Sequence, residues 1–137
     1  MRIEWALACR HAEVHAAGVD VYGAGFDALR ASHLPALTVL PVIARVAALE
    51  IECGPDVEHR LEGYLLDPGM SVLQSLELGL TMEAAPEHPA GYEVAIVLPL
   101  IVLFAARQDG IHGLELRLDG KFQWLVSFFV RTETPPE

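Results

Sequence analysis

The strongest constraint on the fold is an alternation of apolar and polar residues, interrupted by a two-residue turn, near the carboxyl end of the chain. Leucines alternate with charged residues over 114–118, and a second alternating segment runs over 122–130. Between them stands Asp119-Gly120, a pair that favours the tight turn of a β-hairpin. A period of two places the apolar side chains on one face of a strand. The sequence therefore predicts an antiparallel hairpin with one face against a core.

The same alternation occurs in two earlier segments. Residues 57–66 and 76–82 place apolar side chains at every second position, and Asp67-Pro68-Gly69 between them is a turn sequence. We expect these segments to be neighbouring antiparallel strands. Residues 36–51 are apolar and rich in β-branched residues, which also favours a strand.

The amino-terminal segment is ambiguous. Glu4–Ala17 has good helix propensity and is followed by Gly18, a residue that ends helices. If the segment is a strand instead, Cys9 alternates with Ile3, Trp5 and Leu7 and is expected to be a small core residue. The pattern leaves helix and strand open.

Several short strands with turns between them, and no regularly alternating helices, predict an all-β fold. We expect an antiparallel β-sandwich of about seven to nine strands, with or without one short helix. Residues 1–131 are expected to form a single domain, and residues 132–137, with two prolines and two acids, a disordered tail. A chain of 137 residues, 53% of them hydrophobic, can bury a core without disulfides or metal ions.

Charge and hydropathy exclude several classes of protein. Nineteen acidic and nine basic side chains leave a net charge of -10, so neither nucleic acid nor an anionic membrane surface is an expected partner. The longest apolar run, 94–106, is shorter than the roughly 20 residues of a membrane-spanning helix. No signal-peptide core is present at the amino terminus, and two cysteines form no disulfide framework. We expect a cytoplasmic protein.

Three amino-terminal segments carry a resemblance to a family: Met-Arg-Ile-Glu-Trp-Ala-Leu-Ala over 1–8, Ala-Glu-Val over 12–14, and Val-Tyr-Gly-Ala-Gly-Phe-Asp over 21–27. They resemble an uncharacterised family of short bacterial proteins that begin with a Trp-Ala-Leu strand and a Gly-rich second strand. The resemblance implies a small Ig-like or related β-sandwich with Ile3–Cys9 as its first strand. It implies no activity. The chain differs from the family pattern at Ala16-Ala17-Gly18, where members have a Gly-rich turn.

The best metal candidates are His11, Glu13 and His15. On a strand these three side chains share one face and could offer two imidazoles and a carboxylate to a divalent ion. On a helix the two histidines, four residues apart, could also meet. Their spacing matches no established metal signature, and a solvated polar face is the simpler interpretation. A metal-dependent enzyme built on these residues is the competing function.

The other candidate motifs favour no cofactor and no catalytic residue. Gly23-Ala24-Gly25-Phe26-Asp27-Ala28 matches one form of the dinucleotide-binding fingerprint. Pro35 leaves no room for the long helix that should follow, so a strand bend that needs glycine is the better interpretation. The aspartates in predicted loops lack the spacing of a calcium loop, and no serine has a glycine-flanked elbow.

The most distinctive segment is the apolar run beginning at Val94, because an extended strand there is apolar on both faces. Burying the second face would contribute on the order of 5 kcal/mol, enough to drive association. Pro99, and Pro41 in the other apolar segment, belong at sheet edges or bulges. The leading hypothesis is a non-catalytic binding or assembly module that forms a homo-oligomer or docks a protein partner through Val94, Ala95, Val97, Pro99, Ile101 and Leu103. The alternative is that a loop or the amino-terminal segment covers the strand.

Overall fold

The computed structural model describes residues 1–16, 18–25 and 28–133. Over these residues it contains ten β-strands and one short 3₁₀-helix, Glu50–Glu52, so the strand number exceeds the predicted range by one. The strands are β1 (Arg2–Ala8), β2 (His11–His15), β3 (Gly18–Tyr22), β4 (Ala28–Ala31), β5 (Ala36–Ala48), β6 (His59–Leu66), β7 (Val72–Leu80), β8 (Val94–Ala106), β9 (Gly110–Leu118) and β10 (Lys121–Thr132).

Two sheets pack face to face. One has the order β1-β5-β8 and the other β4-β10-β9-β6-β7, while β2 and β3 form a separate hairpin. All pairs are antiparallel except β4 with β10. One cluster of buried side chains from both sheets, including Leu40, Leu116 and Phe128, fills the space between them. The predicted all-β sandwich is confirmed.

Both predicted hairpins are present. β9 pairs with β10 across Asp119 and Gly120, whose φ angles of 51° and 80° are the two positive values that a type I′ turn requires. β6 pairs with β7 from His59 opposite Leu80 to Leu66 opposite Val72. The turn chemistry and the alternation predict the same register, which explains why these elements could be located from sequence.

The amino-terminal segment is a strand, so the helix propensity of Glu4–Ala17 is overridden. β1 pairs along β5, and the register shifts between Ile3 and Trp5, which makes Glu4 a bulge. The bulge puts Ile3 and Ala6 in the core and leaves Leu7 exposed. The expected common face of Ile3, Trp5 and Leu7 is therefore wrong, although Cys9 is buried as expected.

The last described residues belong to the sheet. β10 includes Thr132, and the backbone N–H of Glu133 donates to the carbonyl of Ala31 at 2.7 Å. The remainder of the predicted tail, residues 134–137, lies outside the described residues. Over residues 1–16, 18–25 and 28–133, no helix has the length and hydropathy needed to cross a membrane.

Candidate functional site

The two faces of β8 have different environments. Leu100, Val102 and Phe104 point into the core and are buried, whereas Ile101 and Leu103 point outward with 73% and 48% of their surface exposed. Of the six residues predicted for an interface, Pro99, Ile101 and Leu103 are exposed, and Ala95 and Val97 are half-buried. Val94 belongs to the core between the sheets and is not available for an interface.

The exposed side of β8 continues across the other strands of its sheet. Leu103, Ile101 and Pro99 lie opposite Val39, Pro41 and Ile43 of β5, and Ile43 lies opposite Leu7 of β1. Together these side chains form a surface that we call the outer apolar face: Leu7, Val39, Pro41, Ile43, Pro99, Ile101 and Leu103.

Two features show that the outer apolar face is continuous. Ile43 is 1% exposed but does not belong to the core between the sheets, so side chains packed on the outer side of the sheet shield it. Arg45, at one end of this face, is neutralised by Glu4, whose Oε2 lies 2.6 Å from the Arg45 Nε. An apolar surface of this kind, with no uncompensated charge, is typical of an interaction site.

The free edge of β8 is unsuited to pairing with another strand. Cys9 N–H donates to the Pro41 carbonyl at 2.9 Å, so the backbone polar groups of Pro41 point towards β1. Because the direction alternates along an antiparallel strand, those of Ile43 point the same way. Their partners on β8, Ile101 and Pro99, therefore direct their backbone groups towards the free edge. Pro99 has no N–H there, which interrupts any further ladder.

The alternative that the amino-terminal segment covers β8 is not what the structure shows. The start of the β2–β3 hairpin approaches the outer apolar face where Arg10, His11 and Ala12 line a small cavity of about 130 Å³ with Pro41, Pro99 and Ile101. Ile101 stays 73% exposed beside that cavity. The described part of the chain therefore leaves most of this face open.

The predicted metal candidates share one face of β2, as a strand requires. Asp20 of β3, opposite Glu13, adds a second carboxylate that the sequence analysis missed and that the hairpin register reveals. The side chains form two separate pairs: His11 Nε2 lies 3.2 Å from Glu13 Oε1, and His15 Nε2 lies 3.0 Å from Asp20 Oδ2. Within the described ranges no three such side chains are placed to hold one metal ion. The metal-dependent enzyme stays a prediction, and metal analysis of alanine variants would test it.

The glycines of the fingerprint-like segment form a bend. Gly23 and Gly25 have φ angles of 63° and 77°, and the chain continues into β4 rather than a long helix. Phe26 and Asp27 of this segment lie outside the described residues. A nucleotide site of the Rossmann type needs the helix that β4 replaces.

A polar cluster that the sequence analysis missed surrounds His59. Its Nδ1 lies 2.8 Å from Asp119 Oδ2, and its Nε2 lies 2.9 Å from the carbonyl oxygen of Glu52. Both partners only accept hydrogen bonds, so both ring nitrogens donate and the imidazolium form fits this position. The bond to Asp119 raises the pKa of His59, and the same bond lowers the pKa of Asp119. Asp119, recognised as a turn residue, was the only sign of this cluster in the sequence.

A groove opens between β4 and the first half of β5. It has a volume of about 560 Å³ and is lined by Cys9, Arg10, Ala28, Leu29, Arg30, Val39, Pro41 and Glu133. A second depression of about 550 Å³ shares Leu29, Arg30 and Val39 with it and extends to His33 and Leu37. Burial raises the pKa of the Cys9 thiol, which disfavours the reactive thiolate form.

These features define the chain as an all-β sandwich protein with a bare apolar sheet face and an open lateral groove. No protein-family model, curated protein or solved structure matches the chain. The resemblance to the family of short bacterial proteins therefore stays a prediction.

Proposed function

We propose that the chain is a non-catalytic assembly module whose outer apolar face packs against the same face of a second copy. The observation that carries this proposal is the exposure of Ile101 and Leu103 on a face whose centre, Ile43, is already shielded from water. Covering such a face releases the water that exposed apolar side chains order.

The size of the sheet suits a dimer. β5 and β8 have 13 residues each and β1 has 7, so at about 3.3 Å per residue and about 4.8 Å between strands the two long strands cover roughly 43 by 10 Å and β1 adds roughly 23 by 5 Å. Two copies would bury on the order of 1,000 Å² in total, about the minimum expected of a specific interface.

Packing face to face is favoured over joining edges. Pro99 lacks the donor that a continuous ladder needs, and Gln74 Nε2 already donates to the Leu103 carbonyl at 3.2 Å. The net charge of -10 on each copy opposes approach from a distance, whereas the face itself has no unpaired charge. Added salt screens that repulsion and is expected to strengthen the dimer.

A matched pair of isoleucines provides the test. Ile101 lies on the outer apolar face, and Ile111 lies on β9 in the other sheet with 56% of its surface exposed. Size-exclusion chromatography with light scattering at micromolar concentration is expected to give a dimer for the unaltered protein and for Ile111→Glu, and a monomer for Ile101→Glu. A monomeric unaltered protein, or a dimer that survives Ile101→Glu, would contradict the proposal.

A further inference from the structure

Over residues 1–16, 18–25 and 28–133, half of one edge of β5 has no strand beside it. β1 pairs with β5 only over 42–47, and the last backbone bond runs from Cys9 N–H to the Pro41 carbonyl. Beyond that point the chain leaves the sheet and forms the β2–β3 hairpin. Because backbone direction alternates, Leu37 and Val39 direct their N–H and C=O groups to the same side as Pro41. Within the described part of the chain these groups have no partner strand.

The groove lies along this unpaired half-edge. Leu29, Val39 and Pro41 give it an apolar lining, and β4 forms its far side. The Ala31 carbonyl accepts a bond from Glu133 N–H, so the backbone groups of Ala31 point to β10 and those of Arg30 point away from it. Two sheet edges therefore flank one groove, and among the described residues neither has a partner strand on that side.

Two of the basic side chains of this acidic protein line the groove. Arg2, Arg45, Arg60 and Arg117 each form an ion pair with a glutamate. Over residues 1–16, 18–25 and 28–133, the other five lysine and arginine side chains form no ion pair with a carboxylate, and two of these five, Arg10 and Arg30, line the groove.

The bend at Gly23 holds Arg10 in place. A β-carbon at Gly23 would lie 2.7 Å from the Arg10 side chain, so that side chain packs directly on the glycine backbone. Among the described residues that line the groove, Glu133 is the only acid, against two arginines.

We propose that this groove binds an extended peptide segment of a protein partner, with alternating apolar and acidic residues, as an added strand along β5. The backbone of Leu37 and Val39 would supply the ladder, and Arg10 and Arg30 would hold the peptide carboxylates. In strand addition of this kind, main-chain hydrogen bonds provide the affinity, and contacts with alternate side chains of the peptide provide the specificity. This proposal does not depend on dimer formation through the outer apolar face.

The probe is a fluorescein-labelled peptide, Val-Glu-Val-Glu-Val, measured by fluorescence anisotropy against the whole chain. We expect saturable binding, and binding at least about tenfold weaker for Val-Lys-Val-Lys-Val because the charge match is lost. Arg30→Glu is expected to weaken binding of the acidic peptide by at least about tenfold. Lys121→Glu, the same change of charge at the start of β10, is the control and should leave binding unchanged.

Two further measurements separate strand addition from simple charge attraction. An acidic peptide with an N-methylated central valine should bind more weakly, and the amides of Leu37 and Val39 should exchange hydrogen more slowly when the unmodified peptide is present. The proposal is overturned if the acidic peptide fails to bind, if Arg30→Glu and Lys121→Glu have equal effects, or if N-methylation changes nothing. In the Ile101→Glu variant, which is expected to be monomeric, protection of the Val39 amide that rises with protein concentration without peptide would assign the edge to a second copy and also overturn it.

Discussion

At the scale of single residues, the most informative side chain is His59, because its role depends on partners far away in sequence. Asp119 accepts from it across the β9–β10 turn, and the same carboxylate accepts the Arg60 N–H at 2.9 Å. The Glu52 carbonyl oxygen accepts a hydrogen bond from the other ring nitrogen, Nε2. One imidazolium thereby joins the 3₁₀-helix, the start of β6 and the β9–β10 turn.

This contact predicts a pH-dependent contribution to stability. The pKa of His59 is raised above its ordinary 6.5 by the bond to Asp119, so its contribution is complete below pH 6.5 and is lost as the pH rises through the raised pKa. The lowered pKa of Asp119 acts oppositely: its contribution is present above 3.8 and is lost as the pH falls through the lowered pKa.

Asp119→Asn tests the contact with little change to the turn, because Asn tolerates the positive φ angle of this position. The urea midpoint of the unaltered protein is expected to decrease as the pH is raised from about 6 to about 9. The midpoint of the variant should decrease less over the same pH range. Equal slopes for both proteins would mean that the His59–Asp119 bond contributes nothing measurable.

At the scale of elements, β8 shows how a proline can sit within a long strand. Pro99 occupies a position whose backbone faces the free edge, so no bond to β5 is lost. From sequence, both prolines are predicted to lie at sheet edges or bulges. Pro41 instead lies in the central strand, at the place where β1 ends and no N–H is needed on that side.

Replacing Pro99 should therefore change association more than folding. Pro99→Val restores an N–H on the free edge and adds a residue with high strand propensity. We expect an unchanged unfolding midpoint together with assemblies larger than a dimer, detected by light scattering and thioflavin fluorescence. If the variant kept the size distribution of the unaltered protein, Pro99 would not be what limits edge pairing.

At the scale of the whole molecule, stability comes from one core closed by two sheets. Leu61 is fully buried on β6 and belongs to the cluster that joins both sheets. Val72 at the start of β7 is 57% exposed and lies outside that cluster. The two residues offer a direct comparison between core and surface of the same sheet.

Leu61→Ala is expected to lower the free energy of unfolding by about 2–5 kcal/mol, because it removes buried methyl groups and leaves a cavity. Val72→Ala should change it by less than about 0.5 kcal/mol. Urea denaturation monitored by Trp fluorescence measures both. Similar losses for the two variants would show that Leu61 does not lie in a close-packed core.

Local sequence patterns were sufficient to predict the two hairpins and the all-β class. In 57–82 and 114–130 the alternation and the turn residues are neighbours in the chain, so local chemistry specifies both the strand and its register. The apolar character of both faces of β8 could likewise be predicted from the sequence of residues 94–104.

The amino-terminal strand, the placement of Val94 and the groove depend instead on tertiary contacts. Glu4–Ala17 has helix propensity, and its strand state depends on pairing with β5 and on the bulge at Glu4. Arg10 lies between β1 and β2 and Arg30 lies on β4, so they line one groove only because these elements are brought together by the packing of the sandwich. Placing such residues next to one another depends on contacts between segments that are distant in sequence, and no local pattern encodes those contacts.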